Sequence, residues 1–144
     1  VLKRLFSKSK FYISSKNEAE LLEAKKLGCT FVTRALTFSR IKLTLNENEK
    51  LDFRKLKAAK SSLSSADIES LVLAKSRSLV ILTNDINMQK EAAEQGISYF
   101  NLPMILRELW KQKIITKEDT NKLILQIEKE DNIVIVNKDT IFLE

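Results

Sequence analysis

Two stretches decide the fold: Leu63-Ser64-Ser65-Ala66-Asp67 and, after one helix's length, Leu79-Val80-Ile81-Leu82-Thr83-Asn84-Asp85. Ser64 and Asp67 stand three apart, the spacing of a capping box that opens a helix. Ile68, Leu71, Val72 and Ala74 then recur at helical period, so that helix buries one side. Leu79 to Leu82 is an unbroken apolar run between polar flanks. Such a run is expected of a strand covered on both faces in a parallel sheet. Thr83-Asn84-Asp85 closes it at its carboxyl end. A further helix follows from about Ile86 to Gln95, where Gly96 ends it, and Ile97 to Phe100 reads as the next strand. Helices alternating with short apolar strands predict an α/β fold with a mainly parallel central sheet. Ligands of such sheets bind beyond the carboxyl ends of the strands. Asp85 lies at such an end, and Asp67 opens the helix leading into that strand.

Outward from this segment the pattern continues. On the N-terminal side, residues 2–10 form a short basic helix with Leu2, Leu5 and Phe6 on one side. Phe11-Tyr12-Ile13 is a strand, and Ser14 or Ser15 caps a helix that runs to Leu27 and stops at Gly28. Cys29 to Thr33 reads equally as strand or helix start. Ile41 to Leu45 alternates as a half-buried strand does, Asn46 to Glu49 is a polar turn, and Leu51 to Lys60 is a short helix. On the C-terminal side Pro103 suits the first turn of a helix, where its missing N–H costs nothing. Thr116 and Asp119 open another helix, to about Glu130. Ile133-Val134-Ile135-Val136 and Thr140-Ile141-Phe142-Leu143 read as strands joined by Asn137-Lys138-Asp139. Trp110 and Phe100 are expected in the core.

Composition narrows the chemistry. The 144 residues fit one domain over residues 1–144, with 44% apolar content to build a core. No histidine is present, and Cys29 is the lone cysteine. Ser-His-Asp triads, Cys-His pairs and zinc sites of histidine or thiolate are thereby excluded. The two glycines, Gly28 and Gly96, cannot build a phosphate-binding glycine loop. What remains is oxygen-ligand chemistry, which suits Mg²⁺ or Mn²⁺. No stretch approaches a membrane span, and Val1 to Arg4 has no apolar run behind it. A single cysteine favours a reducing compartment, so the expectation is cytoplasmic. The net charge of +6 is uneven. Residues 1–60 carry 15 Lys/Arg against 6 Asp/Glu, a net of +9; the rest carries 10 against 13. Such a chain attracts phosphates at one part and holds a cation at another, or simply wears a lysine-rich surface. The richness in Lys, Glu and Ile hints at a thermophile, although Asn is not depleted.

Residues 63–102 resemble the second half of a PIN domain: L-S-x-x-D, an apolar helix containing alanine, an apolar strand ending T-x-D, and a helix ending near glycine. Asp67-Ile68-Glu69 and Asn87-Met88-Gln89 are similar to the archaeal ribosomal-RNA-maturing endonuclease branch. Leu106 to Leu125 is similar to the segment that follows in toxin-like members. Phe11 to Leu21 resembles the family's strand and helix on which a glutamate faces the site. The resemblance implies a three-layer α/β/α sandwich and a ribonuclease whose carboxylates hold Mg²⁺ or Mn²⁺. It implies Asp67, Asp85 and Glu20 as catalytic and metal-binding residues. RNA is the expected partner, with an antitoxin or a ribosomal component and a homodimer as further expectations.

Each of these residues has a plainer reading beside it. Asp67 is the third residue of a capping box, Asp85 an N-cap, and Glu20 one of three glutamates on an amphipathic helix. Thr83 binds nucleic acid or merely ends its strand. Arg4, Lys8, Arg34 and Arg40, with Lys3, Lys10, Lys42 and Arg54, are expected to contact phosphates. Glu69 and Asn87 are expected to face solvent. The family's first strand, which ends in aspartate, has no counterpart near Val1, where the sequence resembles the helix after it. Three readings are open: a short preceding segment carries it, the module is degenerate and non-catalytic, or residues 133–140 take its place with Asp139.

Overall fold

A computed structural model describes residues 1–143. The chain is mixed α/β and mostly helical, and it divides into two compact units. One unit is Lys10–Tyr99; the other joins Val1–Ser9 to Phe100–Glu144.

The Lys10–Tyr99 unit begins with β1 (Tyr12–Ser14), α2 (Ser15–Lys26), α3 (Val32–Phe38) and β2 (Ile41–Leu43), α1 (Leu2–Leu5) belonging to the other unit. It continues through α4 (Glu47–Ala59), α5 (Ser65–Arg77), β3 (Ile81–Leu82) and α6 (Ile86–Glu94) into β4 (Tyr99–Phe100). β1 and β2 pair in parallel, Tyr12 opposite Ile41 and Ser14 opposite Leu43. β3 pairs with β4, and Ile81 N–H donates to Ser98 C=O at 3.0 Å. The core is α5's buried stripe, Ile68, Leu71, Val72 and Ala74, packed with Leu63, Ile81, Met88, Ala92 and Ile97. Phe53 and Leu56 of α4 close over it.

The second unit packs α7 (Leu102–Lys111) with α8 (Lys117–Asp131) and α9 (Lys138–Ile141) around Leu106, Ile124, Ile135 and Ile141. Pro103 lies in the first turn of α7. Phe6, just after α1, meets Phe100 edge-on at 5.8 Å. Trp110 is half-buried, with its Nε1–H donating to Ile141 C=O at 2.6 Å. No helix among the described residues is long and apolar enough to cross a membrane.

Four expectations change. The strands form two separate two-stranded pairs, so a single central sheet is not seen. Leu79 to Leu82 is not covered on both faces: Ile81 is buried, while Val80 and Leu82 are exposed. Asn46 to Glu49 is not a free turn, because Asn46 and Glu49 complete a capping box and α4 starts at Glu47. The C-terminal hairpin is absent as well. Glu128 takes the N–H groups of Ile133 and Ile135, and Asn137 turns left-handed (φ +56°) into α9. Those donors are satisfied by a helix end rather than by a strand.

Candidate functional site

The candidate carboxylates are placed by helix starts. At α5, Ser64 Oγ accepts from Asp67 N–H and Asp67 Oδ2 accepts from Ser64 N–H, both at 3.1 Å. At α6, Asp85 Oδ1 accepts from Met88 N–H at 2.8 Å, and Asp85 N–H donates to Thr83 Oγ1 at 3.2 Å. Both side chains therefore satisfy donors that a helix start leaves orphaned, and both lie in the positive field there.

A third helix start joins them. Ser14 Oγ accepts from Asn17 N–H and caps α2. Glu69 Oε1 accepts from Ser15 Oγ–H and from Lys16 N–H, each at 2.9 Å. Asn17 Nδ2–H donates to Ser70 Oγ at 2.7 Å. The first turn of α2 is thus pinned to α5. Glu69 is 3% exposed, contrary to the solvent-facing role expected of it; Lys16 N–H, left orphaned by the helix start, and the Ser15 hydroxyl draw it inward.

Connectivity fixes which end this is. Ser78, left-handed at φ +53°, ends α5, and three residues reverse the chain into β3. α5 and β3 share a core, so the start of α5 lies at the end where β3 finishes. Along the chain α2 starts directly at the carboxyl end of β1 and is pinned to the second turn of α5, and α6 starts four residues after β3 ends. Each helix start carries a positive field, which here is met by a carboxylate of the chain itself, Glu69, Asp67 or Asp85. Asp67 spends only Oδ2 on its cap and Asp85 only Oδ1, so each keeps a second oxygen for a hard cation. Carboxylate oxygens are the ligand type that Mg²⁺ takes, commonly one or two of them with waters completing its shell.

The other candidates are less gathered. Glu20 is exposed on α2. Among the described residues, no three acidic side chains form a group that could hold a metal ion. Arg34 is exposed on α3; Arg40 is exposed just after it, its Nε–H donating to Thr37 C=O at 3.2 Å. Arg4 and Lys8 are exposed in the other unit. Asn87 is exposed, and Thr83 is half-buried. Asp139 lies in the first turn of α9, not in a hairpin.

A cleft of about 490 Å³ opens elsewhere, between α4 and the later turns of α5, lined by Asp52, Lys55, Leu56, Val72 and Lys75 among others. None of Asp67, Asp85 or Glu20 lines it. Sequence reasoning missed the Glu69 pin because its partners lie 53 and 54 residues away. No local pattern announces such a bond. Comparison with protein-family models, curated proteins and solved structures finds no match to this chain.

Proposed function

We propose that this chain is a PIN-like, metal-dependent endoribonuclease built on an α/β/α sandwich and hydrolysing RNA phosphodiester bonds. The supporting observation is that Asp67 and Asp85, each with an uncommitted oxygen, stand at the starts of α5 and α6 in one unit. Asp67 and Asp85 hold Mg²⁺ or Mn²⁺ in this reading, with Glu20 as the third carboxylate. When bound, the metal lowers the pKa of a water and offsets charge on the phosphate. The helix starts and Thr83 orient the phosphate, and Arg34 and Arg40 hold the RNA backbone. Arg4 and Lys8 add positive charge in the other unit. A homodimer and an antitoxin or ribosomal partner belong to the same reading, as does action in the cytoplasm.

The test exploits the caps. Asparagine N-caps a helix as well as aspartate does, and at position 67 its amide oxygen can still accept from Ser64 N–H, so Asp85→Asn and Asp67→Asn should leave the fold intact while weakening a cation site. Mn²⁺ binding followed by electron paramagnetic resonance should fall in both variants. Cleavage of a labelled single-stranded RNA in Mn²⁺ should drop about a hundredfold or more. Absent Mn²⁺ binding, together with cleavage unchanged in both variants, would sink the proposal.

One observation favours a second reading, a catalytically degenerate PIN-like module that binds RNA or a partner protein. Both aspartates already cap helices, and no third acidic group joins them among the described residues. RNA binding that persists in EDTA, with no cleavage in Mn²⁺, is its signature. Cleavage abolished by Asp85→Asn eliminates it.

A further inference from the structure

The cleft of about 490 Å³ between α4 and the later turns of α5 has an apolar floor and charged walls. From α4 come Asp52, Lys55, Leu56 and Ala59; Val72 and Lys75 come from α5. Both sets follow the three-and-four spacing of one helix face. Val72 is 5% exposed and Leu56 is half-buried, so the floor is continuous with the core around Ile68 and Leu71. Lys55 and Lys75 are exposed at its walls.

These charges are not spent on one another. Elsewhere in this unit acids and lysines three apart close ion pairs, Glu23 with Lys26 at 3.2 Å and Glu47 with Lys50 at 2.6 Å. Asp52 and Lys55 share that spacing, yet neither forms an ion pair or hydrogen bond among the described residues. Lys75 Nζ–H donates to Gln95 Oε1 at 3.1 Å, a neutral acceptor that also lines the cleft. The Gln95 amide is fixed in turn, its Nε2–H donating to Glu91 Oε1 at 2.8 Å. Glu91 is itself met by Lys60 at 2.9 Å. Lys75 is thus held at the cleft wall with no carboxylate against it.

We propose that this cleft binds a small amphipathic monoanion, a carboxylate on an aromatic or short aliphatic body. The body lies on Leu56, Ala59 and Val72, and burial of its apolar surface drives binding. The acid group accepts from Lys55 and Lys75 in charge-assisted bonds. Two lysines against Asp52 leave the lining one net positive charge, which matches a single acid group. Asp52 also repels a polyanion such as a nucleic-acid backbone. The volume is that of a small-molecule site. Asp67, Asp85 and Glu20 do not line the cleft, so this inference is independent of the nuclease reading.

Phenylbutyrate is the probe, titrated into the full chain and followed by backbone-amide chemical shifts. Saturable shifts should map to residues 52–59, 72–76 and 95. The uncharged phenylbutanamide should bind about tenfold more weakly. Inorganic phosphate, which lacks an apolar body, should not saturate. Lys55→Gln with Lys75→Gln should weaken phenylbutyrate binding about tenfold. Ala59→Phe, at an exposed position, fills the floor and should abolish it; circular dichroism checks that both variants fold. No saturable shift up to about 10 mM phenylbutyrate overturns the proposal. So does binding that is unchanged in both variants, or equal affinity for phenylbutanamide. Equal affinity for inorganic phosphate overturns it too, since the lysines would then be a bare anion patch. Displacement of phenylbutyrate by a short RNA, with the same dependence on both lysines, would assign the cleft to nucleic acid and overturn it likewise.

Discussion

Glu49 shows how much one side chain can carry. It is 2% exposed and receives Arg77 Nε–H at 2.9 Å, Arg77 Nη2–H at 2.8 Å and Ser76 Oγ–H at 2.7 Å. It also closes the capping box by accepting from Asn46 N–H at 2.8 Å. The Arg77 bonds outweigh burial and hold its pKa down at about 2, from an ordinary 4.5. A depressed carboxylate stabilises the fold above its unfolded pKa and loses that stabilisation as pH falls through the folded value. Stability should therefore decline as pH drops from 4.5 toward about 2. Glu49→Gln should cost about 1–2 kcal/mol at neutral pH, because it replaces a charge-assisted pair with a solvent-open arginine by a neutral hydrogen bond, and should flatten the acid limb. Urea unfolding across that range checks both; a variant with an unchanged acid limb would reject the assignment. Glu69→Ala should cost about 1–3 kcal/mol, since Ser15 Oγ and Lys16 N–H lose their acceptor. Glu69→Gln, which keeps an acceptor oxygen, should lose less, and equal losses in the two variants would dismiss the pin.

Helix starts are legible in the sequence because capping is local chemistry. Ser14, Ser64, Asp85, Asn101 and Thr116 each accept a backbone N–H three residues on. Asp85→Ala should cost about 1 kcal/mol in thermal or urea unfolding, and Asp85→Asn close to nothing. A loss from Asp85→Asn as large as that from alanine would mean the carboxylate's charge, not its capping bond, matters to stability. Strands are less legible, because their bonding partners lie far along the chain. Ile133 to Val136 has the composition of a strand, but Glu128 answers its inward amides first. Leu79 to Leu82 has the composition of a doubly buried strand, but packing covers one side. Asn46-x-x-Glu49 carried a readable cap signal that polarity alone disguises as a turn.

At larger range, each of the two units has its own apolar cluster, one around Ile68 and Leu71, the other around Leu106 and Ile141. The positive excess of residues 1–60 is distributed through α2, α3 and α4 and the segment before them. If it serves RNA, the logarithm of affinity should fall linearly with the logarithm of salt concentration. Arg34→Glu with Arg40→Glu should weaken binding about tenfold or more. It should also make that slope shallower by roughly one for every phosphate the variant no longer neutralises. Fluorescence anisotropy with labelled RNA measures both quantities. A slope near zero in the wild type would reject an electrostatic role for these arginines.

Composition alone excluded histidine chemistry, a zinc–thiolate site and a glycine phosphate loop, because no histidine, one cysteine and two glycines cannot build them. Short-range spacing identified the starts of α2, α5, α6 and α8, because a cap and its amide lie within one turn, and Pro103 marked the start of α7. The candidates Asp67 and Asp85 were visible for the same reason, each sitting in a cap pattern. What the sequence could not reveal was set by interactions between residues far apart along the chain: Glu69 under α2, Glu49 under Arg77, and strands pairing two by two. Burial and pairing depend on which surfaces meet. That choice is made by the energy of packing the chain together, not by any residue's neighbours along it.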